Sequence, residues 1–200
     1  MITIVDYKMG NLMSIQNMLK KLGYEAQITS DPDKIRDASK LILPGVGSFG
    51  AAMAAITELG ITDVLNQFVL VDKKPILGIC LGMQLMCSYS EEGNIGGLNW
   101  IEASVKRFPK VVNEEKLKVP HIGWNKVVGS SEFLKDDTEN KFYFVHSYFV
   151  ELNLKEEQLM ESTYGISFCS AFQKDNILGV QFHPEKSHKF GMHLLKTFAS

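Results

Sequence analysis

Cysteine is sparse in this chain, with only Cys80, Cys87 and Cys169, and no two of them fall in a CxxC spacing. An odd, scattered set does not build a disulfide framework and points to reduced thiols in a cytoplasmic protein. None of the five histidines falls in an HExxH or HxxxH spacing, so neither a metal nor another cofactor is expected. Every apolar stretch is broken by Gly, Pro or a charge well short of the roughly 20 residues that a membrane helix needs. The first residues, Met1-Ile-Thr-Ile-Val-Asp-Tyr, lack the basic stretch and cleavage site of a secretory leader and read as a strand. Charge of one sign is also missing: 21 basic against 23 acidic residues give a net charge of -2. A phosphate backbone or an anionic membrane is therefore not an expected partner.

What is present is enough apolar material, 45% of 200 residues, for one substantial core. No Pro/Gly/Ser-rich linker divides the chain, so residues 1–200 are read as one domain. The first half alternates short apolar strands with helical segments: ITIVD, LMSIQNMLKKLG, YEAQIT, DPDKIRDA, KLIL, SFGAAMAAITELG, KPILGI and LGMQLMCSYS. That alternation, with strands apolar throughout, predicts an α/β fold whose doubly wound, mostly parallel sheet is covered on both faces. After Gly96 the segments WIEASVKRF, WNKVVG, KFYFVHSYFV, GISFCSAF and NILGVQF predict added antiparallel strands. A hairpin is expected at 174–176 and an amphipathic helix from His188 to Ala199.

Gly78-Ile79-Cys80-Leu81-Gly82 lies between a strand and a helix and has the G-x-nucleophile-x-G form of a nucleophile elbow, with Cys in place of Ser. A sharp turn there exposes the side chain at the carboxyl edge of the sheet. The helix start favours a thiolate, and the Leu81 amide can donate to an oxyanion. The competing reading makes Cys80 one more small buried residue. Cys87, read as two turns further along the same helix, and Cys169, read as facing away from Ile166, Phe168 and Phe172, are assigned to the core.

The strand from Ile177 to Phe182 ends in His183-Pro184-Glu185. Residues two apart on extended chain share a side, so the carboxylate can hold one imidazole nitrogen while the other faces outward. This is a base with its orienter, although a structural histidine at a strand end would look the same. Gly45-Val46-Gly47-Ser48-Phe49-Gly50 matches GxGxxG and raises a rival, dinucleotide binding. It does not follow the first strand, and the next strand ends in Cys80 rather than in a ribose-binding carboxylate. The preferred reading has Val46 and Gly47 supplying the second oxyanion donor.

With GICLGMQ around Cys80 and HPE at His183 to Glu185, the chain resembles the class I, or triad, glutamine amidotransferases along nearly its whole length. Within that family five segments are similar to the glutaminase subunits of imidazole glycerol phosphate synthases. These are DYKMGN at 6–11, PGVG at 44–47, PHIGWN at 120–125, YFVHSY at 143–148 and HPEKS at 183–187. The resemblance implies a flavodoxin-like sheet and hydrolysis of L-glutamine to L-glutamate and ammonia. It implies a heterodimer in which the ammonia passes to a cyclase subunit, a (β/α)8 barrel. It also implies that Gln84, Glu92 and the backbone of His146, Ser147 and Tyr148 bind the substrate, and that Asn11, Trp124, Tyr143 and Lys186 lie at the cyclase interface and ammonia entrance. The alternatives left open are a triad amidotransferase serving another synthase, a cysteine hydrolase on a similar sheet, and a non-enzymatic subunit with a relict elbow.

Overall fold

The computed structural model describes residues 1–129, 131–136 and 139–200. Its centre is five parallel strands in the order β2-β1-β3-β4-β16. They are β1 (Ile2–Val5), β2 (Ala26–Thr29), β3 (Lys40–Leu43), β4 (Ile76–Ile79) and β16 (Ile177–Val180). Every residue of β1, β4 and β16 is buried, as their continuous apolar runs predict. Alternate side chains feed two cores, one on each face. Ile2, Ile4, Ile42, Leu77 and Ile79 go to one, and Val5, Leu41, Leu43 and Ile76 to the other. A Leu→Ala change at so enclosed a position as Leu77 costs about 2–5 kcal/mol.

Helices lie on both faces. In α1 (Leu12–Lys21), Ile15 and Leu19, one turn apart, are buried. The short α2 (Pro32–Arg36) starts where its sequence says it should. Asp31 caps it by accepting from the Asp33 amide at 3.0 Å, and Pro32 takes the first position. Then follow α3 (Phe49–Glu58), α4 (Thr62–Asn66) with a wide turn over Gln67–Val71, α5 (Leu81–Leu85) and α6 (His188–Ala199). The sequence suggests no element at 62–71. The buried Val64, Leu65, Phe68 and Val69 nevertheless follow a helical stripe.

Beyond β16 the sheet continues through β15 (Ile166–Lys174), β13 (Tyr148–Leu152), β7 (Ile101–Arg107), β5 (Cys87–Ser90) and β6 (Ile95–Gly96). Further strands are β14 (Gln158–Tyr164), paired with β15, and β11 (Val128–Gly129), paired with β14. Of these, only β5 and β7 pair in parallel. The expected hairpin is present, with Lys174 opposite Ile177 and Asp175 at φ 50°. Two ribbons stand apart: β8 (Val111–Val112) with β9 (Glu115–Lys116), and β10 (His121–Lys126) with β12 (Lys141–His146).

Three expectations are corrected. The helix after Cys80 stops at Leu85, so Cys87 lies on β5, not on a second helical turn. The carbonyls of Leu85, Met86, Cys87 and Ser88 accept from amides of residues 97–101 instead of closing helical turns. KFYFVHSYFV is two strands, because the chain leaves the ribbon for the main sheet at Ser147. There the His146 ring bonds the Tyr148 carbonyl at 2.8 Å across the break, and the Ser147 carbonyl takes the Phe108 amide. Cys169 is buried as expected but shares its face with Phe172. A bulge sets Ala171 opposite Met160 and Cys169 opposite Glu161, and this breaks the alternation at Ser170.

Candidate active site

Three neighbouring strands, β3, β4 and β16, run in parallel and empty onto one edge of the sheet. Ile79 lies opposite Val180, and the Cys80 amide bonds the Val180 carbonyl at 2.8 Å. Cys80, the turn after His183 and the glycine loop after Leu43 therefore meet although they are far apart in sequence. A crevice at the carboxyl ends of adjacent parallel strands is where open α/β sheets bind ligands.

Cys80 sits at φ 53°, ψ -106°, a sparsely populated conformation that costs on the order of 1–3 kcal/mol in a non-glycine residue. The turn is tight enough that a Cβ on Gly82 would lie 1.8 Å from the Leu43 carbonyl oxygen, so only glycine lets the elbow pack against the exit of β3. The thiol is 6% exposed. Its Sγ is 3.6 Å from the Gln181 Nε2 donor and 3.9 Å from the Val145 carbonyl.

His183 is buried, and its Nδ1 is 2.8 Å from Glu185 Oε1. With Nδ1 committed to the carboxylate, Nε2 is the ring atom left to serve the Cys80 sulfur. Burial alone would push the imidazole pKa down. The Cys80 sulfur and the Glu185 carboxylate outweigh it and raise it to about 10. The main chain is fixed as well. Ser187 Oγ donates to the His183 carbonyl at 2.6 Å and accepts from the Tyr143 amide at 3.0 Å.

Val46, Gly47, Cys80, Leu81, Gln84, Glu92, Pro120, Val145, His146, Ser147, Tyr148 and His183 line one pocket of about 300 Å³. That volume is at the lower end for small-molecule sites, about 300–1,000 Å³. It suits a substrate of amino-acid size. Gly47 has φ 107°, which only glycine adopts at little cost. Among the described residues the Val46 and Gly47 amides have no hydrogen-bond partner, and Leu81, first in its helix, has an amide free by position. Glu92 Oε2 accepts from the Phe49 amide at 3.0 Å. The N-terminus of α3, where a dinucleotide pyrophosphate would sit, is thus already held by a carboxylate, which removes the dinucleotide reading of GxGxxG.

A model of the class I glutamine amidotransferases matches residues 3–200. Subunit HisH 2 of imidazole glycerol phosphate synthase from Methanococcus maripaludis is 52% identical to this chain, over 99% of the chain and 98% of that protein. The chain belongs to the class I glutamine amidotransferase family. Subunits HisH of the same synthase from Sulfurimonas denitrificans and Bdellovibrio bacteriovorus are 46% and 43% identical, over 99% and 100% of the chain and 97% and 99% of those proteins. Among solved structures, a glutamine amidotransferase superposes with TM-score 0.76 at 18% identity, covering 98% of each chain. PurLQS from Thermotoga maritima gives 0.75 at 15%, covering 98% of this chain and 96% of that one. At such identities the likeness speaks for the amidotransferase fold alone.

Three of the four residues assigned to a cyclase interface cluster, with Trp124 and Lys186 reaching solvent and Tyr143 half-buried. Trp124, 48% exposed, stacks on His188 at 5.5 Å and meets the Tyr143 ring edge-on. Lys186 Nζ lies 5.7 Å from the Tyr143 centroid. Asn11 stands at the start of α1, the helix that packs on the Pro184–Lys186 turn, and its side chain caps nothing. Two buried polar residues at the site escaped the sequence reading. Tyr7, at the exit of β1, donates to the Pro44 carbonyl and so anchors the glycine loop. Gln181 touches the thiol. The signal for each was a polar group in an apolar strand exit, which must find a partner when buried. Among the described residues no His/Cys/Asp/Glu group could hold a metal, and no single helix is long and apolar enough to cross a membrane.

Proposed function

We propose that this chain, acting as one cytoplasmic domain, is the glutaminase subunit of an imidazole glycerol phosphate synthase. It hydrolyses L-glutamine to L-glutamate and ammonia and passes the ammonia to a barrel-shaped cyclase subunit in a heterodimer, for histidine biosynthesis. The observation that carries the reading is the convergence of Cys80 with the buried His183–Glu185 pair at a pocket of amino-acid size. The relatives at 43–52% identity, all HisH subunits of imidazole glycerol phosphate synthase, support the choice of synthase.

His183 Nε2 takes the thiol proton, and the imidazolium is stabilised between sulfur and the Glu185 carboxylate. Sγ attacks the side-chain amide carbon of glutamine. The oxyanion is held by the Leu81 amide and by an amide of the Val46 to Gly47 loop. His183 returns its proton to the departing ammonia, and water cleaves the γ-glutamyl thioester. Glu92 and the Tyr148 strand bind the amino-acid end of the substrate. Both amide hydrogens of Gln84 are already donated, to the Tyr148 carbonyl and Gln181 Oε1. Gln84 therefore offers the substrate only its carbonyl oxygen, which suits the α-ammonium.

The Trp124, Tyr143 and Lys186 cluster, with Asn11 beside it, is the docking surface and ammonia entrance. Losing one oxyanion donor costs about 2.7–4 kcal/mol, so a Val46 to Gly47 loop completed only on docking keeps the free subunit nearly idle. A glutamine-analogue electrophile, followed by peptide mapping, tests the chemistry. The expected result is an adduct on Cys80, absent in Cys80→Ser, and glutaminase activity that rises when the cyclase and its ligand are added. Glutamine hydrolysis retained by Cys80→Ser would sink the reading, and equal rates with and without the cyclase would remove the docking switch.

A further inference from the structure

Gln181 is fully buried, and nothing in the mechanism above calls for it. Its position follows from the sheet. The Cys80 amide bonds the Val180 carbonyl, which puts the next residue of β16's exit beside the nucleophile, while its own amide is tied to the Ser170 carbonyl at 2.9 Å. Its side chain bridges two groups, with Nε2 3.6 Å from Cys80 Sγ and Oε1 2.9 Å from Gln84 Nε2.

The direction of this chain can be worked out from one end. The Tyr148 backbone carbonyl is an acceptor whatever its surroundings. The Gln84 amide atom 3.0 Å away must therefore be nitrogen. The same nitrogen faces Gln181, so the Gln181 atom it meets must be oxygen. The other end of the Gln181 amide, the one against sulfur, is then N–H. A flipped Gln181 would set two N–H groups against each other, and a flipped Gln84 would set two carbonyls against each other. Polarity is thus imposed from the backbone, two side chains away from the thiol.

We infer that Gln181 is a further catalytic residue, a fixed N–H donor that stabilises the Cys80 thiolate, and that Gln84 is the positioning residue that fixes its polarity. The inference rests on the reading of Cys80 as the nucleophile. It gives Gln84 a duty toward the enzyme's own sulfur that is separate from any contact with substrate. It also places three groups around the sulfur: the His183 imidazole, the Val145 carbonyl and the Gln181 amide. Of these only the first and third favour negative charge.

The test is the pH dependence of Cys80 alkylation by iodoacetamide, followed by peptide mass spectrometry on the full chain. The buried Cys87 and Cys169 serve as slow internal references. Gln181→Met, close in shape but unable to donate, should alkylate about tenfold more slowly below the titration midpoint, with the midpoint about one unit higher. Gln84→Met leaves Gln181 free to flip and should give a smaller slowing, about threefold. The double variant should be no slower than Gln181→Met alone, since Gln84 acts through Gln181. In the complex, glutaminase kcat should fall in parallel for Gln181→Met while KM holds.

Gln181→Glu guards against a folding artefact. It keeps the acceptor facing Gln84 and, where its carboxyl is ionised, sets an acceptor against the sulfur in place of the donor, so at those pH values alkylation should be slower than in Gln181→Met. A parent profile in both Gln181 variants would overturn the inference. A slowing in the double variant equal to the product of the singles would overturn the role of Gln84. If the Gln181 shifts appear but the parent complex hydrolyses no glutamine, the donor assignment stands and the proposed function falls.

Discussion

Two buried histidines should make this protein acid-sensitive by an amount that can be worked out in advance. His146 bonds the Tyr148 carbonyl through Nδ1 and His121 Nδ1 through Nε2, at 2.8 and 2.9 Å. Phe108, Phe144 and Phe168 pack around it. Burial is the main reason that its pKa is lowered from 6.5 to about 3, with smaller contributions of the same sign from His121 and His183. A pKa depressed by folding means stability that is full above 6.5 and is lost as pH falls towards 3, because the unfolded chain binds the proton first. At pH 5 the gap is about 1.5 units, and at about 1.4 kcal/mol per unit His146 alone removes about 2 kcal/mol. His121, lowered to about 4 by burial, acts in the same direction. His183, raised to about 10, has the opposite sign. It stabilises below 6.5, loses that effect as pH rises through 10, and adds little slope between pH 5 and 6.

The assay is urea unfolding of the parent and His146→Leu at pH 7.5 and pH 5. The leucine variant should lose its disadvantage by about 2 kcal/mol on going to pH 5, since it has no proton to take up there. A stability difference that is the same at both pH values would refute the buried, neutral assignment of His146.

Further outcomes follow from the site. Glu185→Gln removes the carboxylate that orients His183 and should lower glutaminase kcat by about 10²–10⁴-fold, the usual worth of positioned acid-base catalysis, with KM within about twofold; steady-state kinetics on the complex would detect a smaller loss. Gly82→Ala drives a methyl into the Leu43 carbonyl and should separate the elbow from the glycine loop. The expected kcat loss is about 10²–10³-fold, as for a missing oxyanion donor, and parent-like activity would contradict the close approach. Trp124→Ala, on a half-exposed ring, should change the subunit's own stability by about 0.5 kcal/mol or less. The same change should weaken cyclase binding at least tenfold by titration calorimetry, and an unchanged affinity would move the docking surface elsewhere.

The features legible in the sequence are those written locally. Asp31-Pro32 announces a helix start, the apolar run Ile76 to Ile79 a strand covered on both faces, and Gly78 to Gly82 the elbow that follows. His183 and Glu185 could be paired from their spacing alone, and their Nδ1 and Oε1 lie 2.8 Å apart. The misread features depend on partners distant in sequence. Nothing in Leu85 to Ser88 shows that residues 97–101 will claim its carbonyls, so its helix reads too long. Ser147 breaks a strand only because its two sides pair with β10 and β7. The bulge at Ser170 is set by register against β14. Gln181 reads as one polar residue at the end of a strand until β16 is laid beside β4.

The place of β16 also bears on how the molecule comes into being. It is the last strand along the chain, yet it lies inside the sheet between β4 and β15. A chain emerging from the ribosome therefore exposes the Cys80 elbow about a hundred residues before its base is made, with one edge of β4 still unpaired. Such long-range closure is slow. Until it happens, the thiol has neither His183 nor Gln181 beside it, so the reactive sulfur and the finished sheet arrive in the same event.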